Sequence, residues 1–112
     1  MPTSDVFIEN EIVNWEEVAP GVSRALLAYE DSLMVVKVKF DTAAIGVRHQ
    51  HIHVQITYVE SGVFEVEVGD QKKILRKGDS FLASANVWHG VVCLEAGVLI
   101  DTFSPVRMDF LK

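Results

Sequence analysis

The sequence predicts a single all-β domain, built as a sandwich or barrel of short strands. The chain has 112 residues, which is a usual size for one domain. Turn signals recur at short intervals, and the segments between them are short and rich in Val, Ile and Phe. This spacing is typical of sandwiches and barrels, and no segment shows a sustained helical period. We therefore expect residues 1–112 to form one domain.

Two segments show the alternation of a half-buried strand. Residues 36–40 alternate apolar side chains with lysines, and residues 64–68 alternate apolar side chains with glutamates. Successive side chains of a strand point to opposite faces, so each segment is predicted to have one buried and one solvent-facing side. The predicted turns lie at residues 19–21, 29–32, 60–62, 69–70, 77–79, 84–86 and 95–97.

Composition and charge disfavour several classes of protein. Apolar residues make up 49% of the chain, which is enough for a folded core. The net charge is −6 and the ten Lys and Arg residues are scattered, so we expect no nucleic-acid partner. The single cysteine, Cys93, allows no internal disulfide, and no apolar run is long enough to cross a membrane. The N-terminal residues lack a signal-peptide pattern, so we expect a cytoplasmic protein.

One short stretch carries three of the four histidines in the sequence. If this stretch is a strand, one of its faces holds His49, His51, His53 and Gln55. Imidazole and amide groups are side chains of metal-ligand type. The stretch therefore predicts one wall of a metal pocket, which the fourth histidine, His89, could complete from another strand.

The opposite face of the same stretch is apolar and carries Ile52, Val54, Ile56 and Tyr58. Neither face is then suited to water, so we expect the polar face to line an interior cavity. The apolar face must be covered by another strand or by a partner subunit. This is the reason to predict a homodimer.

The C-terminal part supplies further candidates. Asp101 and Phe103 alternate in step, so both should face one side of a late strand. If that side is the cavity, Asp101 is a carboxylate suited to proton transfer, and otherwise it is a strand-end carboxylate in solvent. Arg107 follows a Ser104-Pro105 turn. A guanidinium there could hold a carboxylate through two parallel hydrogen bonds, or could lie at the surface.

The histidine stretch resembles the first motif of the cupin superfamily. That motif has a His-x-His pair, three or four residues, Glu, six residues and Gly. The sequence has His49 and His51, three residues, Gln55, six residues and Gly62, so glutamine replaces the usual glutamate.

The second cupin motif has a counterpart between Gly78 and His89. In the family it passes through a Pro-x-Gly turn, which here reads Ser84-Ala85-Asn86. The resemblance implies a jelly-roll barrel, the double-stranded β-helix, with a metal-binding core at about residues 46–104. It also implies one divalent metal ion held by His49, His51, Gln55 and His89.

The C-terminal segment is similar to the tail of the KdgF family of pectin-degradation cupins. Its members have Asp, Phe and Arg at the spacing of Asp101, Phe103 and Arg107, with a Ser-Pro turn between, and carry Gln as a metal ligand. The resemblance implies ring opening of 4,5-unsaturated uronates from pectin or alginate to 5-keto-4-deoxyuronate. In this interpretation Asp101 moves protons, Arg107 fixes the substrate carboxylate, and Phe103 packs against the sugar ring or belongs to the core.

Several alternatives stay open at this point. His53 could contact substrate, support a metal ligand or simply pack in the core. The ligand set suits nickel, zinc, iron or manganese. Because all four ligands are neutral, the metal charge is uncompensated and should attract an anionic sugar acid. The rival functions are another cupin enzyme, such as a dioxygenase or an isomerase on another small molecule, and a non-catalytic sugar-sensing module.

Overall fold

A computed structural model describes residues 2–111 and shows an all-β architecture, as the sequence predicts. Its strands are β1 (Glu16–Ala19), β2 (Val22–Glu30), β3 (Leu33–Phe40), β4 (Ile45–His49), β5 (Val54–Val68), β6 (Gln71–Arg76), β7 (Ser80–Ala83) and β8 (His89–Ser104). Two short 3-10 helices cover Asn10–Ile12 and Met108–Phe110. Within the described part of the chain, no helix is long and apolar enough to cross a membrane.

All eight strands belong to one antiparallel sheet. The order is β1-β2-β3-β8-β5-β6, with β4 paired to β8 and β7 paired to β5. The two long strands, β5 and β8, run alongside each other from the Val54↔Ser104 pair to the Val68↔His89 pair. Both strands contribute buried side chains to the larger apolar cluster, and β8 also contributes Phe103 to the smaller one.

The pairing of the two long strands is irregular in the middle of β5. The β5–β8 register shifts between Val59 and Phe64. Gly62 lies in this region with φ +84°, and a Cβ on it would lie 2.6 Å from the Glu95 carbonyl oxygen. Only glycine tolerates both this backbone conformation and this close approach. The Gly62 of the first motif therefore has a structural role.

The interior contains two apolar clusters. The larger includes Phe40, Phe64 and Leu99, and the smaller includes Met34, Val36, Phe103 and Val106. The predicted alternation is confirmed: residues 36 and 40 are buried while Lys37 and Lys39 are not, and residues 64 and 66 are buried while the neighbouring glutamates are partly exposed.

The prediction of one continuous strand through the histidines is wrong. Strand β4 ends at His49, strand β5 begins at Val54, and residues 50–53 form the connection between them. The His51 Nδ1–H group donates a hydrogen bond to the His53 carbonyl at 2.9 Å. This bond closes a tight local turn in the connection. The alternation of side chains along β5 therefore begins at Val54 and does not determine where the histidine side chains point.

Candidate metal centre

Three imidazoles converge at the junction of β4, the following connection and β8. The candidate ligand atoms of His49, His51 and His89 all lie within 4.8 Å of one another. His49 and His89 are direct partners across β4 and β8, so the sheet register brings them together. His51 reaches the same place from the connection. These three histidines could hold a metal ion.

Each of the three rings is fixed by a backbone carbonyl. The Nδ1–H groups of His49 and His89 donate to the carbonyls of Val47 and Val87, at 2.7 and 2.9 Å. His51 makes the corresponding bond described above. A carbonyl can only accept, so the proton of each neutral ring lies on Nδ1 and the lone pair lies on Nε2. This is how metal-binding histidines are usually oriented.

Burial keeps two of these rings neutral. It lowers the pKa of His89 to about 4, against weaker raising by the hydrogen bond to the Val87 carbonyl. Burial, followed by the positive charge of Arg107, also lowers the pKa of His51. Both rings therefore present an unprotonated Nε2 at neutral pH, which is the form that binds a metal.

Gln55 completes the arrangement with a carbonyl-type oxygen. Its Nε2 donates to Thr57 Oγ1 at 2.8 Å and to Asp101 Oδ1 at 3.3 Å, which fixes the orientation of the amide. Its Oε1 consequently faces His51 Nε2 and His89 Nε2, each at 3.1 Å. Three atoms with lone pairs then point at one another. A cation between them would remove this repulsion, so the donor set fits a divalent metal.

Asp101 lies next to this cluster as a buried carboxyl group, 9% exposed. It faces Thr57 across the β5–β8 register, and Thr57 Oγ1 donates to its Oδ1 at 2.6 Å. Burial raises the pKa of Asp101 to about 6, although the Thr57 hydrogen bond, Arg107 and Gln55 act in the opposite direction. A carboxyl group with this pKa can both accept and donate a proton near neutral pH.

Arg107 is buried and is held by a neighbour that the sequence analysis did not identify. Its Nε–H and Nη2–H groups donate to the two carboxylate oxygens of Asp109, at 3.0 and 2.7 Å. Its guanidinium carbon lies 5.0 Å from the ring centre of Phe103 and 4.2 Å from that of Phe110. The short helix at residues 108–110 thus brings the side chains of Asp109 and Phe110 into contact with Arg107.

Phe103 belongs both to the core and to the cavity wall. It is 2% exposed, and its ring centre lies 5.8 Å from that of His51. The ring is packed among Met34, Val36 and Val106. Both alternatives considered for this residue are therefore compatible with its position.

His53 lies outside the cluster of candidate ligands. Its ring centre is 5.4 Å from that of His51, and its buried Nδ1 has no hydrogen-bond partner among the described residues. Burial, and then the charge of Arg107, lowers the pKa of His53, while Asp109 and the Val106 backbone act in the opposite direction. His53 therefore lies beside the C-terminal turn, not at the metal position.

One cavity is lined by most of these groups. Its volume is about 410 Å³, within the range of small-molecule sites. The candidate functional residues that line it are His49, Gln55, His89, Asp101, Phe103 and Arg107. Among the described residues, Asp101 is the one carboxyl group in this lining.

Sequence reasoning missed two supporting residues of the site. Thr57 follows Gln55 by two positions on β5, so strand alternation alone predicts that both side chains lie on the same face. Asp109 follows Arg107 by two positions, but its contact depends on the 3-10 turn at the C-terminus. The position of Thr57 could therefore be predicted from the sequence, whereas the contact of Asp109 could not.

Comparison with protein families gives one match over most of the chain. The model of the family described as "Cupin domain" matches residues 36–103. A curated relative, the "Pectin degradation protein KdgF" of Dickeya dadantii (strain 3937), is 51% identical over 107 residues. The match covers 94% of this chain and 96% of the relative.

Two solved structures resemble the whole fold. An RmlC-like cupin from Shewanella frigidimarina NCIMB 400 has a TM-score of 0.96 and 43% identity, covering 99% of this chain and 100% of that one. The structure of KdgF from Halomonas sp. has a TM-score of 0.92 and 44% identity, covering 96% of this chain and 100% of that one.

Proposed function

The chain belongs to the cupin family and, within it, to the KdgF proteins, and on this premise we propose that it is a metal-dependent isomerase of unsaturated uronates. It would open the ring of 4,5-unsaturated monosaccharides from pectin or alginate and release the linear 5-keto-4-deoxyuronate. The observation that supports this most directly is the Gln55–Asp101 contact, 3.3 Å long, between a candidate metal ligand and a titratable carboxyl group.

The proposed metal ligands are the Nε2 atoms of three histidines and the amide oxygen of one glutamine: His49, His51, His89 and Gln55. Nickel, zinc, iron and manganese all suit such a set. When bound, the metal supplies a Lewis acid that polarises substrate oxygens. Its positive charge, which no ligand neutralises, favours an anionic substrate.

The reaction is an isomerisation that needs two proton transfers and no oxidant. Asp101, as its carboxylate, takes the proton from the anomeric hydroxyl group. The C1–O5 bond breaks, C1 becomes an aldehyde, and the electron pair stays on O5 as an enolate. Asp101 then delivers the proton to C4, which converts C5 into the ketone. Burial favours both steps, because it raises the pKa of Asp101 and so brings the carboxyl group closer to neutral pH.

The remaining residues orient the substrate. Arg107 would hold the carboxylate through N–H groups that Asp109 does not use. Phe103 would pack against the sugar ring from the cavity wall. Fixing the sugar in this way places its anomeric hydroxyl within reach of one carboxyl group.

The direct assay follows the ultraviolet absorbance of the C4–C5 double bond, which disappears on ring opening. Metal-loaded protein should accelerate this loss, and chelator-treated protein should not until a divalent metal is restored. Oxygen consumption should stay at background, which separates the proposal from a cupin dioxygenase. No acceleration with unsaturated uronates of pectin or of alginate would rule out the proposed reaction.

We also propose that the protein is a homodimer, formed through the outer face of the sheet at residues 54–58 of β5 and the residues of β7 and β8 that pair with them. On this face Ile56 lies between Leu82 of β7 and Thr102 of β8 in the register. Ile56, Tyr58 and Leu82 are 53%, 46% and 55% exposed in the single chain. A continuous apolar sheet surface of this kind is typical of a subunit interface.

Analytical ultracentrifugation tests the dimer. The wild-type protein should sediment as a dimer at micromolar concentration, and Ile56→Lys should shift it toward the monomer. Ile74→Lys, at an exposed apolar position on β6, is the matched control and should leave the dimer unchanged. A monomeric wild-type protein would exclude this interface.

A further inference from the structure

A second arginine lies at the wall of the metal cavity. Arg24, on β2, lines this cavity of about 410 Å³ and also an adjoining one of about 380 Å³. Its side chain is 20% exposed, so the guanidinium is largely sheltered from water. The adjoining cavity is further lined by Asn14, Glu16, Leu26, Tyr29, Phe110 and Leu111.

Phe110 connects the two arginines. The guanidinium carbon of Arg24 lies 3.8 Å from the centre of the Phe110 ring, and that of Arg107 lies 4.2 Å from it. One aromatic ring therefore contacts two cations, which are neighbours at the cavity wall. Stacking on a ring restrains a guanidinium while leaving the N–H groups at its edge able to donate.

The two arginines differ in how strongly their charges are already paired. Arg107 makes two hydrogen bonds to Asp109, the shorter being 2.7 Å. Arg24 is 3.5 Å from a carboxylate oxygen of Glu16, whose side chain is 50% exposed. A water-exposed contact of this length is weak, so Arg24 retains more capacity to bind another anion.

We propose that Arg24 is a substrate-binding residue that recognises the carboxylate of the uronate and makes the site specific for acidic sugars. This assignment rests on the proposed function and adds a second cation to it. Arg107, which is paired with Asp109, holds the same carboxylate and orients the sugar near Asp101. Arg24 supplies a second, more weakly paired positive charge at the junction of the two cavities.

The test compares two substitutions of Arg24 with a distant control. Arg24→Met keeps an unbranched apolar stem against Phe110 but removes the charge, and Arg24→Lys keeps the charge but removes the planar fork. Arg76→Met, at an exposed position on β6, is the control. Metal content of all four proteins should agree because none of these residues is a proposed ligand, and their melting should agree within a few degrees because the Arg24–Glu16 contact is partly exposed and weak.

The expected effect is on substrate binding more than on turnover. A charge-assisted hydrogen bond typically contributes about 10- to 100-fold to affinity, so Arg24→Met should raise KM for the unsaturated uronate by that factor. Its kcat should stay within about threefold of the wild type, since no proton transfer involves Arg24. Arg24→Lys should give an intermediate KM, and Arg76→Met should match the wild type. An unchanged KM for Arg24→Met would overturn the assignment.

A binding measurement separates this inference from the proposed reaction. Calorimetry with galacturonate and galactose on metal-loaded protein requires no turnover. Wild-type protein should bind the acid more tightly than the neutral sugar, and Arg24→Met should abolish the difference. This result with no turnover would support Arg24 while rejecting the ring-opening reaction. Equal discrimination by both proteins would reject Arg24 whatever the turnover.

Discussion

Replacing Asp101 by Asn should remove catalysis and, at the same time, stabilise the metal-free protein above pH 6. The carboxyl group is buried, and burial raises its pKa from 3.8 to about 6. Asparagine has nearly the same shape and keeps an oxygen that can accept from Thr57 and Gln55. The substitution therefore removes the titratable group with little change in packing.

The size of the stability effect follows from the pKa shift. Each pKa unit corresponds to about 1.4 kcal/mol, so ionising buried Asp101 costs the folded state about 3 kcal/mol. Because the folded pKa is raised, the contribution of Asp101 to stability is greatest below pH 4 and is lost as the pH rises through about 6. The Asp101→Asn protein has no such loss, so its advantage should grow over this window. For a domain of this size the gain corresponds to roughly 10 °C in Tm.

Thermal melting of chelator-treated protein at pH 4 and pH 8 measures this effect. The difference in Tm between Asp101→Asn and wild type should be near zero at pH 4 and positive at pH 8. Asp70→Asn, in the exposed β5–β6 turn, is the control and should show little dependence on pH. The activity assay should show loss of turnover with unchanged metal content. Normal turnover, or equal Tm differences at the two pH values, would refute the argument.

Three further predictions concern other residues of the site. Gln55→Glu should retain metal but raise KM for an anionic sugar at least tenfold, because a fourth, charged ligand offsets the metal charge and repels Asp101; steady-state kinetics and metal analysis test this. Asp109→Asn should lower kcat/KM by about 10-fold without metal loss, because asparagine keeps only one acceptor oxygen and no longer fixes the orientation of Arg107; retained kcat/KM would contradict that role. His89, whose pKa is depressed to about 4, stabilises the metal-free fold above pH 6.5, and this stability should be lost as the pH falls toward 4; His89→Gln should flatten that part of the melting profile.

The all-β fold was predictable because its signals are local. Alternation of apolar and charged side chains in residues 36–40 and 64–68 reports which face of each strand is buried, and the structure has the same faces inside. The recurring turn residues limit strand length. Neither signal depends on which strands become neighbours, so both can be read from short windows.

The path of the chain through the histidines was not predictable in this way. Histidines at alternate positions give the same sequence pattern in two different structures. In one, a strand directs all of them into a cavity; in the other, a tight connection between two strands brings one of them to the cavity. The structure has the second arrangement, with His51 in the connection and His53 directed toward the C-terminal turn. Only the β4–β8 register, which pairs positions 40 residues apart, decides that His49 meets His89.

The same limit applies to the proton-transfer group. Thr57 and Asp101 are 44 residues apart in sequence, and their 2.6 Å contact exists because β5 and β8 pair in one register. A shift of one residue would place Asp101 on the outer face of the sheet. The sequence identifies Asp101 as a candidate proton-transfer group, but the burial that raises its pKa arises only in the folded barrel.

The glutamine in the first motif gains a physical reason from this environment. A glutamate at position 55 could offer oxygen to a metal, but it could not donate to Asp101 and would place a second negative charge beside it. The amide does both tasks, since its oxygen faces two imidazoles and its nitrogen donates to Thr57 and Asp101. It also leaves Asp101 as the one carboxyl group lining the described cavity. Glutamine therefore permits a buried, titratable acid to lie next to a cationic centre, which is the combination that the proposed proton transfers require.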